Sequence, residues 1–160
     1  MECFITQKVK DEILNECKIF PFEETGGILM GKKHGDNFFI THLIDAGPNC
    51  KRDPAYFFPD INYQQALLDK LSKEQNLEYL GEWHKHPPHY NRLSSLDLQV
   101  IKEIWTYQDE IILILVVPQE NEKFDFYAFY AKKNEKILPV ELKVISPQTE
   151  TEIIQRFFKS

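Results

Sequence analysis

With 160 residues, of which 42% are hydrophobic, 13% aromatic and 28% charged, the chain matches one domain of roughly 150 residues and can bury a core of its own. That composition excludes a fibrous or intrinsically disordered protein. Its 19 Lys and Arg against 25 Asp and Glu leave a net charge of −6 with no basic cluster, which argues against nucleic-acid binding through phosphates and against docking on anionic lipid.

Val9, Ile13 and Cys17 recur every fourth residue and predict a helix over residues 8–18, stopped before Pro21. A glycine-bearing apolar segment over 25–31, a polar turn at 32–37 and a return over 38–45 predict a β-hairpin. Residues 48–54 read as a loop and 56–58 as a short strand, after which Asp60 can cap a helix carrying Tyr63, Leu67 and Leu71. A strand is expected over 77–84, ended by Pro87 and Pro88. Ser94 then starts a helix with Leu96, Val100 and Ile104 on one stripe and Ile101 and Trp105 beside it. Strands at 110–117 and 124–132, joined by a polar turn at 118–123, precede a strand at 137–145 and a closing helix at 149–158.

The apolar run 111–117 falls far short of the roughly 20 residues that span a bilayer and reads as a buried strand. No basic region followed by an apolar stretch opens the chain, so no secretory signal and no membrane span are expected. Cys3, Cys17 and Cys50 are widely spaced and form no CxxC pair, which fits a reducing cytoplasm without disulfides. Helices and strands mix without alternating one for one. This predicts a single α+β domain over residues 1–160, with a mixed, largely antiparallel sheet flanked by helices.

Candidate chemistry concentrates in Gly81-Glu82-Trp83-His84-Lys85-His86-Pro87 and in Leu93-Ser94-Ser95-Leu96-Asp97. Alternate residues of a strand share a face, so His84 and His86 can present both imidazoles to one metal ion while Lys85 faces away and Trp83 packs in the core. Asp97 falls in the first turn of the following helix, and the intervening loop can fold back to bring its carboxylate to the same point. Two imidazoles and one carboxylate leave a fourth tetrahedral position for water, the pattern of a catalytic zinc site rather than a closed structural one. Each residue also has a plainer reading. A His-x-His spacing alone is weak evidence, and Ser94-x-x-Asp97 is equally a helix-capping box with Asp in place of Glu. Glu24 alone reads as a solvated surface charge, His89 as a loop residue that either touches substrate or faces water, and Gly26 and Gly27 as either a close backbone approach or a β-bulge.

Together, His84-x-His86, seven further residues and Ser94-x-x-Asp97 resemble the signature of the JAMM metalloproteases, also called MPN-plus or JAB domains. Upstream, Glu24-Thr25-Gly26-Gly27-Ile28-Leu29-Met30-Gly31 resembles the family's Glu-Thr-Gly-Gly-x-Leu-x-Gly segment. The resemblance runs over residues 21–105. It implies a JAB/MPN-like fold with cytidine-deaminase-like layering and one zinc ion per chain held by His84, His86 and Asp97. It further implies Glu24 as general acid/base and Ser94 as hydrogen-bond donor to the oxyanion. Lys85 stands where the family carries a small Ser or Thr, and Leu93 where many bacterial members have Pro. Lacking long insertions or an extra Cys/His cluster, the chain is not expected to hold a second, structural zinc.

The activity so implied is a cytoplasmic zinc isopeptidase or peptidase that cuts after the C-terminal tail of a ubiquitin-like protein or domain. Small stand-alone bacterial members of this kind are encoded with E1/E2-like partners, antiphage operons included. Two alternatives stay open: maturation of a ubiquitin-like sulfur carrier, and a non-catalytic MPN-type scaffold. A DNA-repair-associated branch suits the acidic balance less well. The sequence assigns no substrate-binding residues.

Overall fold

The computed structural model describes residues 1–153 and 155–156. In chain order the elements are β1 (Cys3–Thr6), α1 (Gln7–Ile19), β2 (Gly26–His34), β3 (Asn37–Ile44), β4 (Lys51–Arg52), β5 (Phe57–Phe58), α2 (Ile61–Gln75), β6 (Glu78–Lys85), α3 (Ser95–Ile104), β7 (Glu110–Pro118), β8 (Phe124–Lys132), β9 (Leu138–Val140), β10 (Leu142–Ile145) and α4 (Pro147–Ile153). Eight strands form one mixed sheet in the order β10-β1-β3-β2-β6-β7-β8-β9, while β4 and β5 make a separate small hairpin. Antiparallel pairings (β2/β3, β2/β6, β7/β8, β8/β9) outnumber the parallel ones (β1/β10, β1/β3, β6/β7), as the expected α+β class requires.

Three elements depart from the periodicity. Strand β1 was not expected, since four residues are too few to show alternation; it passes directly into α1 through Thr6, whose hydroxyl caps the helix by accepting the Val9 N–H at 3.2 Å. The strand expected over 137–145 is two strands, β9 and β10, separated by Glu141 and placed at opposite edges of the sheet. The sheet therefore coils until its edges meet, with β10 against β8. In α3 the buried side is Asp97, Ile101 and Ile104, while Leu96, expected on the inner stripe, is 55% exposed. The helix is rotated to aim Asp97 inward, and that turns Leu96 out. Of the closing helix expected over 149–158, Ile154, Phe157 and Phe158 lie outside the described residues.

Helix α1 packs inside the coiled sheet, where Val9, Ile13 and Cys17 meet Leu29, Trp83, Ile112, Ile114 and Val116. On the other face, α3 covers Ile111, Leu113, Leu115 and Val117, and α2 lays Tyr63, Leu67, Leu68 and Leu71 against Ile28, Met30 and Ile44. Strand β7 feeds alternate side chains to both cores, which is why residues 111–117 are uniformly apolar. Cys3 and Cys17 are buried free thiols, and burial pushes both up to about 12. Among the described residues, no helix is long and apolar enough to cross a membrane.

One irregularity orients the site. Leu29 of β2 lies opposite Gly81 but the next residue, Met30, lies opposite Tyr79, leaving Leu80 as an extra residue in β6. Leu80 and Trp83 consequently point into the same α1-side core, and His84 is registered beside Leu115 on the α3 side. Strict alternation from Leu80 would have sent His84 into the α1 core instead. The bulge depends on Gly81, whose φ is +150° and where a Cβ would lie 1.8 Å from the Ile112 carbonyl oxygen. We expect Gly81→Ala to destabilise the fold by more than about 3 kcal/mol, read by urea titration, because both the backbone angle and the contact are forbidden. A loss below about 1 kcal/mol would mean that β6 can keep its register without the glycine.

Candidate metal centre

Strand β6 ends at the site and the loop after it turns back so that α3 begins alongside. His84 Nε2 lies 2.8 Å from Asp97 Oδ1, and His86 Nε2 lies 3.0 Å from Asp97 Oδ2. The two imidazole rings are 4.7 Å apart, tilted by 44°. The three sequence-nominated ligands are thereby brought together, with one ligand atom from each within 4.8 Å of the others. Residue Tyr90, which the sequence reading did not single out, fixes the tautomer: its carbonyl oxygen accepts from His86 Nδ1 at 2.9 Å. A carbonyl can only accept, so Nδ1 carries the hydrogen: protonated, His86 donates from Nε2 to Asp97, and neutral, it turns the Nε2 lone pair toward the other two groups. This donor set fits a divalent metal that favours nitrogen and oxygen ligands.

Asp97 serves the helix and the cluster together. Its Oδ2 accepts the Ser94 N–H at 2.6 Å while its own N–H bonds the Ser94 hydroxyl oxygen at 3.0 Å, a complete capping box. Capping and clustering do not compete, because the same carboxylate also faces both histidines. Burial works to raise the Asp97 pKa, but hydrogen bonds from His84, His86 and the Ser94 N–H outweigh it and hold the group well below the usual carboxylate range. For His86, burial works downward, while its bonds to Asp97 and Tyr90 and the nearby carboxylates prevail and raise it.

Glu24 stands on the irregular segment just before β2. Gly26 pairs with His84, and the Lys85 N–H reaches the Thr25 carbonyl at 2.8 Å, so the residue before Thr25 continues past the end of β6 in the direction of His86. Its own N–H donates to the Asp53 carbonyl at 2.9 Å, which ties it to the turn between β4 and β5. Half-buried, Glu24 is pushed up to about 7, chiefly by burial and further by Asp97 and Asp53, against the opposing charges of His86 and Lys85. It thus shares an electrostatic neighbourhood with the cluster without being one of the three ligand groups. The glycines beside it are a close approach rather than a bulge: a Cβ on Gly26 would meet the Trp83 carbonyl oxygen at 2.4 Å and the Phe57 ring at 2.5 Å. His89 is exposed and bonded to Gln119 at 2.8 Å.

The model of the prokaryotic homologues of the JAB domain matches residues 6–130, which contain every residue just described. The chain belongs to this family. Over 78 residues it is 32% identical to a CD-NTase/cGAS isopeptidase of Escherichia coli, covering 48% of this chain and 50% of that one. Over 87 residues it is 31% identical to a probable metalloprotease, y4qB, of Sinorhizobium fredii, covering 52% and 53%. A stretch of 98 residues is 33% identical to the AMSH-like protease sst2 of Schizosaccharomyces pombe, covering 61% of this chain and 21% of that one. The matches thus span about half the length of the bacterial relatives and a fifth of the yeast one. Protein DSY2949 of Desulfitobacterium hafniense, solved in solution, shares the fold with a TM-score of 0.72 at 20% identity, over 90% of this chain and 93% of that one.

In this JAB domain the raised Glu24 carries a stability consequence. Its carboxyl ionises near 4.5 in an unfolded chain but at about 7 when folded, so between those values the folded state binds more protons. Its contribution to stability therefore falls as pH rises through that window. Glu24→Gln removes the cost. In metal-free protein we expect equal Tm for variant and parent at about pH 4, and a Tm about 2–4 °C higher for the variant at about pH 8, taking roughly 1 kcal/mol after solvent screening of a half-buried group. An unchanged Tm at the higher pH would place Glu24 in ordinary solvent.

Proposed function

We propose that His84, His86 and Asp97 hold one zinc ion and that this centre hydrolyses the isopeptide or peptide bond after the C-terminal tail of a ubiquitin-like protein. The observation that carries the reading is the convergence of three ligand atoms within 4.8 Å beside a carboxyl titrating at about 7. His84, His86 and Asp97 would hold the zinc, which when bound would supply Lewis acidity toward a carbonyl and a water of pKa about 7. Glu24, ionised, takes a proton from the attacking water and then gives it to the leaving amine, so the carboxylate is regenerated in each turnover. The Ser94 oxygen already accepts the Asp97 N–H, which leaves the hydroxyl hydrogen to donate to the oxygen that gains negative charge. Tyr90 and the capping box hold His86 and Asp97 in place throughout.

The names of the relatives support this substrate class, an isopeptidase and an AMSH-like protease among them, and a cytoplasmic conjugation system with E1/E2-like partners is the setting we assign. A narrow pair of residues such as Gly-Gly must precede the cut, since only a slim extended tail lets its carbonyl reach the centre. Basic residues further back in that tail suit a protein of net charge −6 and affect mainly encounter rate.

Metal analysis should find about one zinc per wild-type chain and a loss of most of it in Asp97→Ala, with no loss in a His89→Ala control. Undiminished zinc in Asp97→Ala would reduce that residue to a cap. Glu24→Gln should keep zinc but lose turnover about 10³- to 10⁴-fold, since an amide can neither take nor return the proton.

Incubation with ubiquitin-like tail fusions, read by mass spectrometry, should place a single chelator-sensitive cut directly after the small C-terminal residue, slower at high salt. Scattered cleavage of unfolded casein, or equal rates when the penultimate Gly of the tail is replaced by Trp, would leave only a general peptidase.

A further inference from the structure

Beyond the Glu24 N–H bond to the Asp53 carbonyl, the segment that carries Glu24 is irregular backbone. Residues 20–25 lie outside helix and strand, and Phe22 among them is 85% exposed and anchors nothing. What reaches the segment instead is Lys85. Its side chain leaves β6 on the face opposite His84 and His86, is only 4% exposed, and donates from Nζ to three carbonyl oxygens: Phe20 at 2.6 Å, Pro21 at 2.8 Å and Glu23 at 3.0 Å. An ammonium has three hydrogens, and all three are matched here by acceptors of a single turn. Burying a cation is costly unless it is fully bonded, so the three carbonyls are held as tightly by the ammonium as it is by them.

A second set of contacts secures the flanks. The Arg52 guanidinium lies 3.8 Å above the Phe20 ring and donates to the Thr25 hydroxyl and to Glu16, both at 3.1 Å. The Thr25 hydroxyl in turn donates to Glu16 at 3.3 Å. Phe20 is thus fixed on one side of the turn and Thr25 on the other, with Lys85 gathering the carbonyls between them.

We propose that Lys85 is a positioning residue for Glu24: by binding the carbonyls of Phe20, Pro21 and Glu23, it fixes where the next carboxyl stands relative to His86 and Asp97. The two histidines and the residue between them then act as one device, with the metal ligands on one face of the strand and the strut for the acid/base on the other. This deepens the peptidase reading and rests on it in one arm of the test only.

The test uses the full zinc-loaded chain with Lys85→Met, which keeps the length and removes the charge and donors, and with Lys85→Ser as the smaller variant. Hydrogen exchange read by mass spectrometry should speed up at residues 20–25 while α3 and β7 keep their protection. With a tail fusion as substrate, kcat should fall roughly 10- to 100-fold with KM within about threefold and zinc content unchanged. Introduced into Glu24→Gln, the same change should cost less than about threefold, because a residue acting through Glu24 has nothing left to position. Equal losses in both backgrounds, or unaltered exchange over residues 20–25, would overturn the assignment and leave Lys85 a structural ion. Where Lys85→Met does not fold, Lys85→Ser decides by the same criteria. Should the wild type cleave no tail fusion, the peptidase reading fails by itself, and the exchange measurement still decides whether Lys85 holds the turn.

Discussion

Because strand side chains alternate, the single extra residue at Leu80 decides which layer of the molecule His84 and His86 address, and the remaining site geometry follows from that choice. The bulge lets β6 place Leu80 in the α1-side core and His84 beside Leu115 on the α3 side, without sacrificing Trp83. Gly81 makes this possible by approaching the Ile112 carbonyl more closely than any side chain permits. Pairing with β2 on one side and β7 on the other then holds the terminal stretch of β6 straight where the imidazoles project. A site built on a central strand has less freedom than one built on a loop, which suits ligands that must converge within a few tenths of an ångström.

Asp97 is where helix stability and site chemistry become the same problem. A helix start has unsatisfied N–H groups and a partial positive charge, and a carboxylate at its third position answers both. Here that carboxylate is also turned toward two imidazoles, so its ionised form is stabilised by Ser94, His84 and His86 together. The rotation of α3 that this requires is visible in the exposure of Leu96. The helix gives up an apolar contact so that its first turn can face the centre.

How much of this the sequence revealed depended on the range of each interaction. Local signals were legible: the Asp60 cap, the Ser94 cap and the buried run 111–117 appear where residue patterns put them, and the strand expected over 25–31 is there as Gly26–His34, running three residues into the expected turn. The convergence of His84, His86 and Asp97 was legible through motif spacing, because spacing encodes strand alternation followed by a helix start. What escaped was set by long-range closure. Strand β1 and the split of 137–145 into β9 and β10 exist only because the sheet coils until its edges meet, which no local periodicity records. The Tyr90 carbonyl escaped because backbone acceptors leave no mark in a sequence. Lys85 was read as facing away from the two histidines and does so, but a lysine on an inward strand face was itself the signal of an internal strut. Such a residue is stable there only if acceptors wait for it.

Glu24 and Asp97 show how one neighbourhood gives two carboxyls opposite properties. Each raises the cost of ionising the other, so the pair is separated by what else touches them. Without metal, Asp97 collects hydrogen bonds from two protonated imidazoles and the Ser94 N–H, and stays ionised far below neutrality. Glu24 is half-buried on an irregular turn and reaches about 7. The roles we propose for the two carboxyls agree with this difference. A ligand that must first lose a proton binds metal in competition with acid, so the carboxyl already ionised is the better ligand. A proton carrier must be able both to hold and to release its proton near the working pH, and only the raised carboxyl does so. Exchanging the two environments would leave the centre with a ligand that competes with protons and a base too weak to take one from water.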